Sequence, residues 1–237
     1  LILDNDALEL EQIGILRASD GAYIFMRTCG LAPAGATESR FIADFEAPNS
    51  STHAWLNKGK YAGTRKVNER TGQVELTIYD ITSVTASATK IQFKDPTGVP
   101  NQPWECSTLT GTKGNSVFTE NVTLGSSISV GASKRGTRNI IPITGGTVSG
   151  RLQGRVIPGG ADYQLLGGST KLDAKYTLLS NDGEYVVVRN CGPFGALIPQ
   201  FEARKNGPYA FLNENKYLSS DPGSGAGGVS ITFYEKR

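Results

Sequence analysis

The chain is short of the side chains on which most catalytic machinery is built. It holds one histidine, His53, one methionine, two tryptophans and three cysteines among 237 residues. A Ser-His-Asp arrangement needs a base and an exposed nucleophile. His53 has no G-x-S-x-G partner and no cysteine in a protease-like context, so hydrolysis by a triad is not expected. A metal centre wants several His, Cys or carboxylate ligands at defined spacing; one histidine and the dispersed Cys29, Cys106 and Cys191 do not supply them, and no metal is expected. Charge is nearly balanced at a formal +2, and no Lys/Arg cluster is interleaved with aromatics, so nucleic acid is not an expected partner. No window approaches eighteen consecutive apolar residues, and no membrane span is expected. The chain opens at Leu1 without a charged-then-apolar leader. That opening, with the sequons Asn49-Ser50-Ser51 and Asn121-Val122-Thr123 in polar surroundings, is read as the mark of a processed, secreted chain glycosylated at Asn49 and Asn121. In an oxidising compartment one cysteine pair can bridge. Cys29 to Cys106 is one of three possibilities, and three buried thiols are the plain alternative.

What is present in abundance is turn chemistry and a repeat. The stretch HAWLNKGKY at 53–61 returns as YAFLNENKY at 209–217. Its flanks follow in register: AYIFMRTCG at 22–30 answers EYVVVRNCG at 184–192, Phe45-Glu46 answers Phe201-Glu202, and VELTIYD at 74–80 answers VSITFYE at 229–235. A period this long makes each copy a domain with its own core rather than a solenoid unit. The segments are short, β-branched and aromatic. They are bounded by Asp20-Gly21 and Asp182-Gly183 turn signals, which predict antiparallel hairpins: 8–16 into 22–27, and 171–179 into 184–189. The fold class expected is all-β, with two related antiparallel β-barrels in tandem forming a pseudo-two-fold pair. The first copy takes residues 1–81. A Thr/Ser/Gly/Pro-rich linker takes 82–118, partly docked through IQFKD at 91–95 and Trp104. The second copy takes 119–237, with DPGSGAGG at 221–228 as an exposed hairpin loop. A monomer of pseudo-dimeric architecture or a homodimer is expected.

From about residue 124 the chain resembles the family known as domain of unknown function 3237, small barrels of bacteria and fungi. The resemblance rests on RNIIPITGGTVSGRLQGRVIPGGADYQLL at 138–166, LDAKYTLLSNDGEYVVVRNCG at 172–192, YAFLN at 209–213 and ITFYE at 231–235. The first copy matches only its later half, through DGAYIFMRTCG, HAWLN and LTIYD, and lacks the ITGG and PGGAD head. Either that head precedes Leu1, or linker strands complete the first barrel. Fungal chains resembling this family include secreted, duplicated catalysts that join a quinone-methide-type diene to an alkene in a hetero-Diels-Alder cyclisation. The resemblance therefore implies a cofactor-free enzyme of secondary metabolism acting on a tropolone- and terpene-like pair of partners.

Period-two alternation places Tyr23, Phe25, Arg27 and Cys29 on one face of a strand, and Tyr185, Val187, Arg189 and Cys191 on the matching face of the other copy. An arginine there either pairs with a carboxylate such as Asp162 or Glu202 or donates to a substrate oxygen. Alternation through HAWLN groups His53, Trp55 and Asn57 as a pocket wall with a polar hook; core packing by Trp55 and turn formation by Asn57 is the alternative. Candidate donors for polarising a diene carbonyl are Arg27, His53 and Lys58. Candidate substrate contacts are Tyr23, Phe25, Trp55, Asn57, Asp162, Arg189 and Tyr209, and Tyr61 and Tyr217 are assigned to packing. A cycloaddition needs neither nucleophile nor cofactor, only an apolar hollow that aligns a small organic substrate. The competing expectation is a carrier barrel that binds such a molecule without chemistry.

Overall fold

The computed structural model describes residues 8–33, 35–84 and 105–237. The expected docking of IQFKD and Trp104 lies outside them. The described residues hold fifteen strands: β1 (Leu8–Arg17), β2 (Tyr23–Ala32), β3 (Glu38–Glu46), β4 (Tyr61–Asn68), β5 (Gln73–Asp80), β6 (Lys113–Leu124), β7 (Ile128–Ser133), β8 (Gly136–Gly150), β9 (Gly154–Leu166), β10 (Lys171–Ser180), β11 (Tyr185–Pro193), β12 (Ile198–Ala203), β13 (Tyr217–Ser219), β14 (Gly223–Gly225) and β15 (Gly228–Lys236). Among the described residues helix is confined to two 3-10 turns, Ala54–Asn57 and Ala210–Glu214. The all-β expectation holds.

The chain divides into two compact units, residues 1–93 with 130–138, and residues 94–129 with 139–237. The boundaries differ from those read in the sequence. β6 begins at Lys113, inside the stretch assigned to the linker, and residues 130–138, the turn region of the β7–β8 hairpin, belong to the first unit.

The first unit is an antiparallel meander in the order β1-β2-β3-β4-β5. Its core is Ile24, Met26, Phe45, Ala47 and Tyr61, with Leu56, Leu76 and Ile78 packed against it; the Phe45 and Tyr61 rings meet edge to face at 5.0 Å. The opposite face carries a buried ionic cluster. Arg138 grips the fully buried Glu46 with Nε 3.0 Å from Oε2 and Nη2 2.6 Å from Oε1. Ser133 Oγ donates to Oε2 at 2.8 Å, and Arg135 reaches both Glu46 and Asp44. Burial opposes ionisation of Glu46, but the Arg138 guanidinium outweighs it and holds the carboxyl below its ordinary range.

The second unit is a ten-stranded sheet with the path β12-β11-β10-β9-β8-β6-β15-β13. The path closes on itself: Ser219 N–H at the end of β13 donates to the Leu197 carbonyl just before β12, at 3.3 Å. Inward positions of β6, β10, β11 and β15 meet in one core. One part of it is tightly aromatic, with the Phe118, Phe201 and Phe233 rings 4.9–5.6 Å apart.

The duplication is legible strand by strand. β1 and β10, β2 and β11, β3 and β12, β4 and β13, β5 and β15 are counterparts, so the first unit corresponds to the later half of the second unit's barrel. In both copies the AWLN or AFLN part of the repeated stretch is a 3-10 turn, not a strand, and the closing tyrosine begins the next strand, which withdraws the alternation assumed for His53, Trp55 and Asn57. Each turn carries an asparagine that satisfies both backbone groups of one residue at the end of the preceding strand or just past it. Asn57 accepts from Ala47 N–H and donates to its carbonyl at 2.8 and 2.9 Å, and Asn213 does the same to Ala203 at 2.7 and 2.9 Å. An alanine cannot supply that pair of bonds, and this is why the motif recurs. Tyr61 and Tyr217 are both buried in their cores.

Candidate functional site

Alternation along the strands of the second unit sends Leu172, Ala174, Tyr176 and Leu178 of β10 inward, with Val186, Val188 and Asn190 of β11 and Phe118, Glu120, Val122 and Leu124 of β6. Where the aromatic packing stops, a cavity of about 270 Å³ opens. Its wall is largely apolar, from Val122, Leu124, Ile141, Ile143, Leu172, Ala174, Phe194, Leu197, Val229 and Ile231; its polar members are Asp162, Gln164, Tyr176 and Asn190.

Tyr176 forms the floor, between cavity-lining Ala174 and core Leu178, and its hydroxyl lies 2.6 Å from Glu120 Oε2. Glu120 is fully buried, and its Oε1 has no hydrogen-bond partner. Burial pushes its carboxyl up to about 8, against the opposing effect of the Tyr176 bond, so the acid is protonated at neutral pH. Burial and the neighbouring carboxyl push the Tyr176 phenol well above its ordinary value.

A bulge in β9 shapes this floor. Thr177 faces Ile157 and Lys175 faces Ala161, so Pro158, Gly159 and Gly160 together oppose the single residue Tyr176. A Cβ on Gly160 would lie 2.4 Å from the Lys175 carbonyl oxygen and 2.5 Å from Tyr176 Cβ. The PGGAD motif is therefore a close backbone approach that seats Tyr176. Asp162, at the end of the motif, accepts from Gln164 Nε2 at 2.8 Å and from Asp173 N–H at 3.0 Å.

Of the residues singled out in the sequence, Asp162 alone lines this cavity. Arg189 belongs to the outward face of β11 and pairs with the carboxylate of Asp173, Nε to Oδ1 at 2.9 Å. The alternation was read correctly along β11, but the face bearing Arg189 is the outer one, and its neighbour Asn190 points to the lumen side. Tyr209 donates to Asp182 Oδ1 at 3.0 Å, and its counterpart His53 has Nε2 3.1 Å from Asp20 Oδ2. Both residues tie the 3-10 turn to the preceding hairpin turn, so His53 is a pin. Bonding to Ala22 N–H and to His53 holds Asp20 below the ordinary carboxylate range. Arg27 is buried, its guanidinium 5.1 Å from the Phe25 ring centre, with Arg138 4.6 Å from the same ring. Tyr23 stands beside Arg17 at 6.0 Å; Lys58 is exposed, and Trp55 is 57% exposed. Asn57 is the backbone bridge described above.

The disulfide joins Cys106 to Cys191, which corrects the pairing of Cys29 with Cys106; Cys29 lies outside it. Asn121 stands in the middle of β6, paired with Ser230 and Thr147, rather than in a turn. The Asn49 side chain donates to the Ser133 carbonyl at 3.0 Å.

The sequence reading passed over Glu120, Tyr176 and Asn190. A signal existed for Glu120. In VFTENVTL an acid occupies the alternate position shared by Phe118, Val122 and Leu124, and a carboxyl on an apolar face is a mark of a buried acid.

Residues 113–195 match the family described as protein of unknown function DUF3237. A UPF0311 protein of Bradyrhizobium diazoefficiens is 41% identical over 78 residues, 32% of this chain and 51% of that protein. The chain spans about half the length of the curated relatives it matches. The crystal structure of a conserved protein of unknown function from Rhodopseudomonas palustris is similar at 32% identity and a TM-score of 0.45, covering 54% of this chain and 99% of that one. That of an enzyme from Penicillium herquei is similar at 21% identity and a TM-score of 0.46, covering 55% and 98%. The DUF3237 match spans Glu120, Asp162, Tyr176 and Asn190, and so covers the polar residues of the cavity floor and wall.

Proposed function

We propose that the second unit is a cofactor-free enzyme that takes a small apolar organic substrate into its lumen and promotes a cyclisation there, with Tyr176 as hydrogen-bond donor and Glu120 as the acid behind it. The reaction proposed is a hetero-Diels-Alder union of a quinone-methide-type diene with an alkene. The new C–C and C–O bonds draw on the π electrons of the two partners, and no external oxidant or nucleophile enters. The single observation carrying this reading is the buried Glu120–Tyr176 pair at the floor of an apolar cavity. A barrel built only to hold an apolar guest gains nothing from a buried carboxyl with an unused oxygen, because that group costs folding free energy.

At rest the Tyr176 hydroxyl donates to Glu120 Oε2; with Glu120 protonated on that oxygen and a substrate carbonyl in the lumen, the bond reverses, the Glu120 O–H donates to Tyr176 Oη, and the phenolic hydrogen turns to the carbonyl. The negative charge gathering on that oxygen during C–C bond formation then meets a donor already in place, in surroundings that exclude water. The apolar wall aligns the two partners. Among its described residues the first unit has no equivalent of the pair, since Gly14 holds the position of Tyr176 and no described strand is the counterpart of β6. The chemistry is assigned to the second unit alone. Secretion is part of the proposal, supported by the Cys106–Cys191 disulfide.

The test is to incubate the protein with an alkene and a precursor of such a diene and to resolve the adduct on a chiral column. One enantiomer in excess and a rate above background are expected, and Ala174→Phe, which fills the lumen, is expected to abolish both. A racemic adduct at the background rate leaves a carrier barrel and ends the enzymatic reading.

A further inference from the structure

The lumen wall carries a second feature besides its floor. Asn190 is 2% exposed, lines the cavity, and its Oδ1 has no hydrogen-bond partner. Its orientation is fixed by a chain of bonds that admits one solution. Ser219 Oγ lies 2.7 Å from the Ser220 carbonyl, which can only accept, so the single hydroxyl proton of Ser219 goes there. Ser219 Oγ must then accept, and it does so from Asn190 Nδ2 at 2.8 Å. The amide cannot turn without facing acceptor to acceptor at Ser219, and its oxygen is held as an unused acceptor in a wall that is otherwise mostly hydrocarbon. A buried acceptor in that state carries the full cost of its lost hydration until something donates to it.

We propose that Asn190 is a specificity element: it selects apolar ring compounds that bear a hydroxyl, phenolic or alcoholic, over the same skeleton without a donor. The inference rests on the assignment of the lumen as the substrate site and adds the class of substrate. Asn190 faces Ala174 across the β10–β11 pair, and Tyr176 faces Val188, one step further along the same face. Diagonal neighbours of this kind are roughly 7–8 Å apart. A substrate that engages both therefore presents a hydroxyl to Asn190 Oδ1 and, across a ring or its equivalent, an acceptor oxygen to Tyr176. One end of the molecule gives a hydrogen bond and the other receives one, which fixes which face of the ring turns toward an incoming partner. A hydroxylated aromatic carbonyl compound has this chemistry; an unsubstituted terpene hydrocarbon does not and is left to the apolar wall.

The experiment measures binding, without turnover, of three probes: 2-naphthol, 2-methoxynaphthalene and naphthalene, by calorimetry on the full chain. 2-Naphthol is expected to bind about tenfold or more tightly than the other two. In Asn190→Leu that ratio is expected to fall toward one, with naphthalene binding retained. In Ser219→Ala, which frees the amide to turn, the ratio is expected to shrink as well. This second variant decides the matter if Asn190→Leu does not fold. Equal affinities in the wild type, no binding of 2-naphthol up to its solubility limit, or an undiminished ratio in the variants overturns the proposal. Because no chemistry is measured, a hydroxyl preference that depends on Asn190 stands even if Tyr176 proves idle in turnover, and the converse result leaves catalysis intact while removing Asn190 as its selector.

Discussion

Tyr176 Oη and Glu120 Oε2 share a 2.6 Å hydrogen bond at the floor of the second unit's cavity, and that bond links the burial of the acid to the work of the phenol. If the acid must be protonated for Tyr176 to donate into the lumen, activity follows the ionisation of Glu120, which burial pushes up to about 8. The cyclisation rate is expected to be level below neutral pH and to fall as pH rises through about 8. Glu120→Gln keeps a donor toward Tyr176 but has no proton to lose; its rate is expected to be lower by about tenfold and to lose the alkaline fall. A pH–rate profile of both proteins checks this.

The same group sets a stability trend. Its folded-state value lies above the ordinary 4.5, so between about 4.5 and about 8 the unfolded chain releases a proton that the folded chain keeps. Wild-type stability relative to Glu120→Gln is therefore expected to decline across that interval and level off above it. The full change is on the order of a few kcal/mol. Urea unfolding at a series of pH values measures it.

How much of this was legible beforehand differs by level. Strand pairing was: the hairpins around Asp20-Gly21 and Asp182-Gly183 are spelled by turn chemistry and alternation, and the duplication by direct comparison. The site was not, for two physical reasons. Alternation divides a strand into two faces without saying which is inside; on β11 the face holding Arg189 looked chemical, and the one holding Asn190 is the one at the cavity. HAWLN, in turn, is rich in residues that suit a pocket, but a helical turn needs only four residues and leaves no periodicity to detect. Asp162, named in the sequence as a carboxylate partner for an arginine and as a substrate contact, does line the cavity. Tyr176 was passed over within KLDAKYTLL, where it reads as ordinary core.

Glu46 and Arg138 form the buried pair of the first unit. Arg138→Met removes one partner and leaves a carboxylate in the interior, and is expected to destabilise that unit by about 3–5 kcal/mol. Replacing both, as Glu46→Gln with Arg138→Met, is expected to cost much less. Because Glu46 titrates below its ordinary range in the folded state, the stability that the pair contributes is present above the unfolded carboxylate value and is lost as pH falls through the lower, folded one. Thermal melts of the single and double variants between acid and neutral pH decide this.

Cys106 and Cys191 are joined across a sequence separation of 85 residues. Cys106→Ser is expected to lower the stability of the second unit by about 2–4 kcal/mol, chiefly by freeing the unfolded chain. A wild-type protein that melts at the same temperature with and without reductant would show the bond to be unimportant.

The most direct test of the central claim is the cyclisation rate of Tyr176→Phe at saturating substrate, beside Arg27→Ala, His53→Ala and Lys58→Ala. Loss of the phenolic donor is expected to slow the reaction by about a hundredfold or more while the apolar lumen still binds its guest. The three first-unit variants are expected to react like the wild type. A Tyr176→Phe protein that turns over at the wild-type rate would contradict the account.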